Sequence, residues 1–217
     1  MSKKQHDGKR SPRSKRVFRI PDLGYYLILT DTNETELNYF QGIRDSLPKD
    51  LQNRLVIKVL PKIETKNLVS RCLEELDKNA QYRIPWIVFD RDEVKGFDTI
   101  INEAKKNHIH TGWSNPCFEI WLHEYLEKAP LSMDSVGCCH TFSTTFKKIT
   151  KQEYDKADTS IYTKLKSYGD EDKAIQRSKQ KHGAAERNNK MTSPSSQYSV
   201  NTVYMLVEEI LSKAATT

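Results

Sequence analysis

The sequence predicts an α/β fold: a mostly parallel sheet flanked by helices over residues 19–130, with an α-helical extension over residues 131–217 packed on it. Three observations carry that expectation. Strand-like and helix-like apolar patterns alternate four times before residue 130. Ile84-Pro85-Trp86-Ile87-Val88-Phe89 is an apolar run, the pattern of a strand covered on both faces. Past Leu131 the apolar residues recur only at helical spacing.

The elements follow in order. Residues 1–18 are expected to form a flexible basic arm. Tyr25-Tyr26-Leu27-Ile28-Leu29 reads as the first strand, after the turn-like Pro21-Asp22-Leu23-Gly24. The small polar residues from Thr30 to Glu36 make a loop and a helix start; Leu37, Tyr39, Phe40 and Ile43 mark the helix, which stops before Pro48. Leu55-Val56-Ile57-Lys58-Val59-Leu60 is the second strand, and Leu68, Val69, Cys72, Leu73 and Leu76 stripe a helix over 67–80. The third strand precedes a helix over 97–107 with Phe97, Ile100, Ile101 and Ala104 inward. Ile109–Trp113 is a short fourth strand, and Ser114-Asn115-Pro116 is expected to open the next helix, where a proline's missing N–H does no harm. Gly137-Cys138-Cys139-His140 reads as a turn. Tyr154, Ile161, Tyr162, Leu165 and Tyr168 suggest one short helix, Ala174, Ile175, Lys181 and Ala185 another, and a last helix is expected over 199–213.

Composition narrows the function classes. No apolar stretch is long enough to span a bilayer and the N-terminus lacks a secretory segment, so the cytoplasm is the expected location. The four cysteines (Cys72, Cys117, Cys138, Cys139) form no C-x-x-C pair and suggest buried, reduced thiols. No G-x-x-x-x-G-K-S/T loop occurs, which argues against P-loop nucleotide binding. His108 and His110 lack a third ligand at zinc-site spacing. The formal charge of +6 is unevenly placed: Lys3, Lys4, Lys9, Arg10, Arg13, Lys15, Arg16 and Arg19 face only Asp7. Such an arm follows a phosphate backbone or serves as a solubilising tail.

The chemistry is expected at the strand ends. In open α/β sheets, ligands bind at the carboxyl ends of the strands. Asp90 and Asp92 close the third strand two residues apart, so an extended chain would present both carboxylates on one side. Two such charges about 4 Å apart repel by roughly 4 kcal/mol at an effective dielectric near 20. A hard divalent cation, Mg²⁺ or Mn²⁺, would offset that; capping of the following helix is the alternative for Asp92. Asp31 and Glu36 follow the first strand, and Ser114, Asn115 and Glu119 follow the fourth, so all can converge on one rim. Glu119 is either a further ligand or an acid facing a helix dipole. Ser114 and Asn115 either touch phosphate or cap a helix. Lys181, in a basic helical segment with Lys179, His182 and Arg187 that either contacts nucleic acid or is a solvated face, and Arg16 in the arm are candidate phosphate contacts.

Acids after the first strand together with a D-x-D after the third resemble the Toprim site of primases, topoisomerases and nucleases. Three blocks together resemble the RloB/AbiLii family, which is associated with bacterial abortive infection and phage defence. They are Glu34-Thr35-Glu36-Leu37-Asn38-Tyr39-Phe40, Val88-Phe89-Asp90-Arg91-Asp92, and Ser114-Asn115-Pro116-Cys117-Phe118-Glu119-Ile120-Trp121-Leu122. Thr202-Val203-Tyr204-Met205-Leu206-Val207 is similar in kind. The resemblance implies a Toprim-like fold, a metal-dependent nuclease acting on RNA or DNA, and a companion ATPase. Metal would fall to Asp31, Glu36, Asp90 and Asp92, and catalysis to Glu36, Asp90, Asp92 and Glu119. One departure stands out: the family's Glu-Gly after the first strand is Asp31-Thr32 here, which removes a permissive backbone position. A non-catalytic subunit that binds nucleic acid or a partner is the alternative.

Overall fold

A computed structural model describes residues 21–78, 83–92, 94–188 and 192–215. Arg16 and the basic first segment lie outside the described residues. The chain runs β1 (Gly24–Thr30), α1 (Thr35–Ser46), β2 (Leu55–Leu60), α2 (Leu68–Asp77), β3 (Arg83–Asp90), α3 (Phe97–Lys106), β4 (His110–Asn115) and α4 (Glu119–Leu126). It continues through α5 (Ser135–Thr150), α6 (Ile161–Tyr168), α7 (Glu171–Glu186), β5 (Val200–Asn201) and α8 (Val203–Ala215). The sheet order is β2-β1-β3-β4-β5; β1 to β4 pair in parallel and β5 is antiparallel to β4. The α/β class expected from the alternating pattern is therefore the class observed.

Strand alternation sorts the interior into two cores. Tyr26, Ile28, Trp86 and Val88 pack with Phe40, Trp121, Phe142 and Leu206, so α1 and the later helices cover one face. Leu27, Leu29, Ile87 and Phe89 pack with Leu68, Phe97 and Ile100 from α2 and α3 on the other. Full burial of a large apolar side chain contributes about 1.5–3 kcal/mol. The helices beyond residue 131 thus share a core with the sheet.

Three local expectations are corrected. Ser114 and Asn115 belong to β4 and do not start a helix: Ser114 lies opposite both Asp90 and Asn201, so each side of the strand is occupied. Gly137–His140 lies inside α5, because the Asp134 carboxylate accepts the Gly137 N–H at 2.8 Å and the inward spacing Cys138, Phe142, Phe146 runs through it. The last helix begins at Val203, after the short β5. There Thr202 works the β4 edge: its Oγ1 accepts the Trp113 N–H at 2.9 Å and its own N–H bonds the Trp113 carbonyl at 2.8 Å.

Candidate metal centre

Three acids meet at the ends of two neighbouring parallel strands. Asp31 follows β1 directly, and Asp90 is the last residue of β3. Glu36 sits buried in the first turn of α1, which the loop after β1 folds back to start. Asp31 accepts a hydrogen bond from Thr65 Oγ1 at 3.2 Å, and Glu36 accepts one from Thr32 Oγ1. One carboxylate oxygen each of Asp31 and Asp90 is sealed from solvent without a hydrogen-bond partner. Asp31 and Asp90 keep some solvent exposure overall, whereas Glu36 is buried.

Their electrostatics follow from that enclosure. Burial lifts the Asp31 carboxyl to about 6, against hydrogen bonds from Thr65 and nearby backbone N–H groups. Burial lifts Glu36 to about 7, helped by the charges of Asp31 and Glu119. Asp90 is pushed well above the usual range by burial and then by Glu36, Asp31 and Glu119; the Phe118 backbone N–H opposes only weakly. Among the described residues, no lysine or arginine is a leading influence on these three. Glu119 differs. Burial works against its charge, but Lys156 at 3.2 Å and hydrogen bonds from Cys117 and Tyr154 hold it below the usual range.

A family model described as "RloB: RloB-like protein" matches residues 26–210. The chain belongs to the RloB-like family. No curated protein and no solved structure matches it. No helix among the described residues is long and apolar enough to cross a membrane.

In this RloB-like chain the family blocks divide between site and scaffold. Glu36 points to the rim, whereas Tyr39 and Phe40 are fully buried in the core. The two acids of the D-x-D block are not presented together. The strand ends at Asp90; the N–H groups of Arg91 and Asp92 then bond the carbonyls of Ser114 and Pro116, at 2.8 and 3.0 Å. Asp92 turns with φ 25°, is exposed, and accepts the Ser135 hydroxyl at 2.7 Å. Extended-chain alternation ends where the strand ends, so Asp92 leaves the cluster that it was expected to complete.

The other expected residues are placed as follows. Ser114 and Asn115 are fully buried, and the Asn115 amide donates to the Pro194 and Ser195 carbonyls at 3.2 Å each. Neither caps a helix or offers its side chain to a surface phosphate. Lys181 pairs with Glu124 at 2.6 Å beside a pocket of about 470 Å³ that contains none of the acids. The sequence reading missed Lys156. It lies on the loop between α5 and α6, outside any periodic pattern, and is brought to Glu119 by Tyr154, whose hydroxyl donates to Glu119 at 3.0 Å.

A second grouping adjoins the first. Cys117, Glu119 and Cys139 place one ligand atom each within 4.8 Å of one another, the one such group of three among the described residues. Asp31, Glu36 and Asp90 are more widely spaced. As a donor set, however, they offer oxygen only and include unpartnered enclosed atoms, which suits a hard cation.

Proposed function

We propose that the protein is a Toprim-like nuclease dependent on Mg²⁺ or Mn²⁺, acting on RNA or DNA in bacterial anti-phage defence. The observation that carries this reading is the trio Asp31, Glu36 and Asp90: three enclosed carboxyls at adjacent strand ends, with no lysine or arginine among the leading influences on them from the described residues. These residues would hold the ion. A divalent ion bound there would supply an activated water and offset charge on a scissile phosphate. Thr65 and Thr32 fix the orientation of two of the carboxylates. Lys156, half exposed and held by Glu119, offers a positive charge beside the acids. Arg16 and the rest of the basic first segment would contact the nucleic-acid backbone. The family resemblance adds a companion ATPase as the proposed partner, and the polar N-terminal sequence supports the cytoplasm as the proposed location.

A second reading, a non-catalytic binding subunit, is favoured by two observations. The three acids are spread more widely than the Cys117 group, and Thr32 stands where the family has glycine. Cleavage assays on single- and double-stranded RNA and DNA separate the two. A nuclease cleaves at least one of them with Mg²⁺ or Mn²⁺ and stops when the metal is chelated. Asp90→Asn should lower the rate by more than the roughly 10–100-fold that loss of an outer-shell partner costs. Asp92→Asn should retain activity. Binding without metal-dependent turnover on any substrate would decide for the second reading.

A further inference from the structure

We propose that Cys117, Cys139 and Glu119 form a second metal site, selective for a thiolate-seeking divalent ion of the zinc type. The geometry leads. The Cys117 and Cys139 sulfurs are 3.8 Å apart. Two Zn–S bonds of about 2.3 Å at a tetrahedral angle set their sulfurs about 3.8 Å apart. A disulfide needs about 2.05 Å, so the pair sits at ligand separation and not at bonding separation. The third atom, a Glu119 carboxylate oxygen, lies within 4.8 Å of both sulfurs. Two sulfurs and one oxygen suit zinc and disfavour Mg²⁺, which the oxygen-only rim suits.

The supports are placed for such a site. Glu119 opens α4, Cys117 lies two residues before it, and Cys139 sits near the start of α5. Cys117 and Glu119 are buried while Cys139 is partly exposed, which leaves an approach from the Cys139 side. Charge also closes: two thiolates and a carboxylate against a divalent ion leave one negative charge, and Lys156 at 3.2 Å from Glu119 offsets it. On binding, each thiol releases its proton to water. Three protein ligands leave the fourth tetrahedral position for water. Sequence spacing hid the set, because 22 residues separate the two cysteines and the third ligand is an acid.

The test is Co²⁺ titration of the full-length, reduced protein followed by ultraviolet–visible absorption. One equivalent should produce a sulfur-to-cobalt charge-transfer band with intense tetrahedral visible bands, and one equivalent of Zn²⁺ should bleach both. Cys117→Ser and Cys139→Ser should each abolish the charge-transfer band. Cys72→Ser, altered in the opposite core, and Asp90→Asn, altered at the rim, should keep it. Circular dichroism identifies a variant that fails to fold; the partly exposed Cys139 then carries the test alone. A folded wild type with no sulfur-to-cobalt band overturns the proposal, as does a band that survives in folded Cys139→Ser. Retention of the band in Asp90→Asn separates this site from the proposed nuclease centre.

Discussion

Asp90 is the residue on which the rim turns. Asp31 and Glu36 ionise at about 6 and about 7 in the folded chain, against 3.8 and 4.5 for free side chains, and Asp90 shifts in the same direction. Between those values the folded protein holds protons that the unfolded chain has lost. Stability from these groups is therefore full below about pH 4 and is lost as pH rises through 7. His182 acts oppositely: burial lowers its pKa, so its contribution is lost as pH falls below 6.5. Comparing wild type with Asp90→Asn cancels the histidine. In chelator at pH 8 the variant should be the more stable, and the gap should close towards pH 4. Millimolar Mg²⁺ should reverse the order at pH 8 by stabilising wild type alone. Chemical denaturation with and without Mg²⁺ checks both. The placement of Asp90 at a strand end and of Glu36 in a first helical turn was legible because acid after a strand, or at a helix start, is a local pattern. Asp92 was misplaced because alternation says nothing once the strand stops, and Lys156 was invisible because only the fold brings a loop to Glu119.

At the scale of elements, α1 links site and scaffold. Glu36 occupies its first turn, while three residues on, the Tyr39 hydroxyl donates to the Tyr125 hydroxyl at 2.7 Å. Tyr125 and Tyr162 donate to Glu171 at 2.7 and 3.1 Å, so α1, α4, α6 and α7 meet in one buried network. The Tyr-Phe pair of the first family block is thus explained by packing. Removing the acceptor with Glu171→Ala leaves buried hydroxyls unpaired and should cost about 2–4 kcal/mol, read as a lowered denaturation midpoint. Two helix-interior glycines give a sharper contrast. A Cβ on Gly42 would collide with the Tyr162 Cβ where α1 packs on α6, whereas on Gly183 in α7 it would meet only the mobile end of Arg187, at 3.3 Å. Helix propensity favours alanine equally at both positions. Gly183→Ala should therefore stabilise by up to about 1 kcal/mol, and Gly42→Ala should destabilise by about 1–3 kcal/mol. The parallel strands and long helices were readable because one periodicity spans many residues. The two-residue β5 was not, since its existence depends on the free edge of β4 and on Thr202 bonding Trp113.

Across the whole molecule, charge is divided more sharply than the net +6 suggests. The first twenty residues hold eight Lys or Arg and one Asp, a charge of +7, so residues 21–217 carry −1. The body has acids at its rim and a near-neutral sum, and on its own it is a poor match for a polyanion. On the proposed function, long-range attraction for nucleic acid would come from the first segment, with Lys156 as a local contact beside the acids. Counterion release gives this a measurable form: the logarithm of affinity falls against the logarithm of salt with a slope of about −0.9 per phosphate neutralised on duplex DNA. Deleting residues 1–20 should flatten that slope by several units and weaken binding at low salt, while leaving turnover of saturating short substrate nearly unchanged. Lys156→Ala should do the reverse, changing the slope by about one unit at most and lowering turnover. Fluorescence anisotropy across a salt series, paired with single-turnover cleavage, reads both quantities. A full-length slope no steeper than the truncated one would assign the first segment to solubility, and recognition would have to lie wholly at the rim.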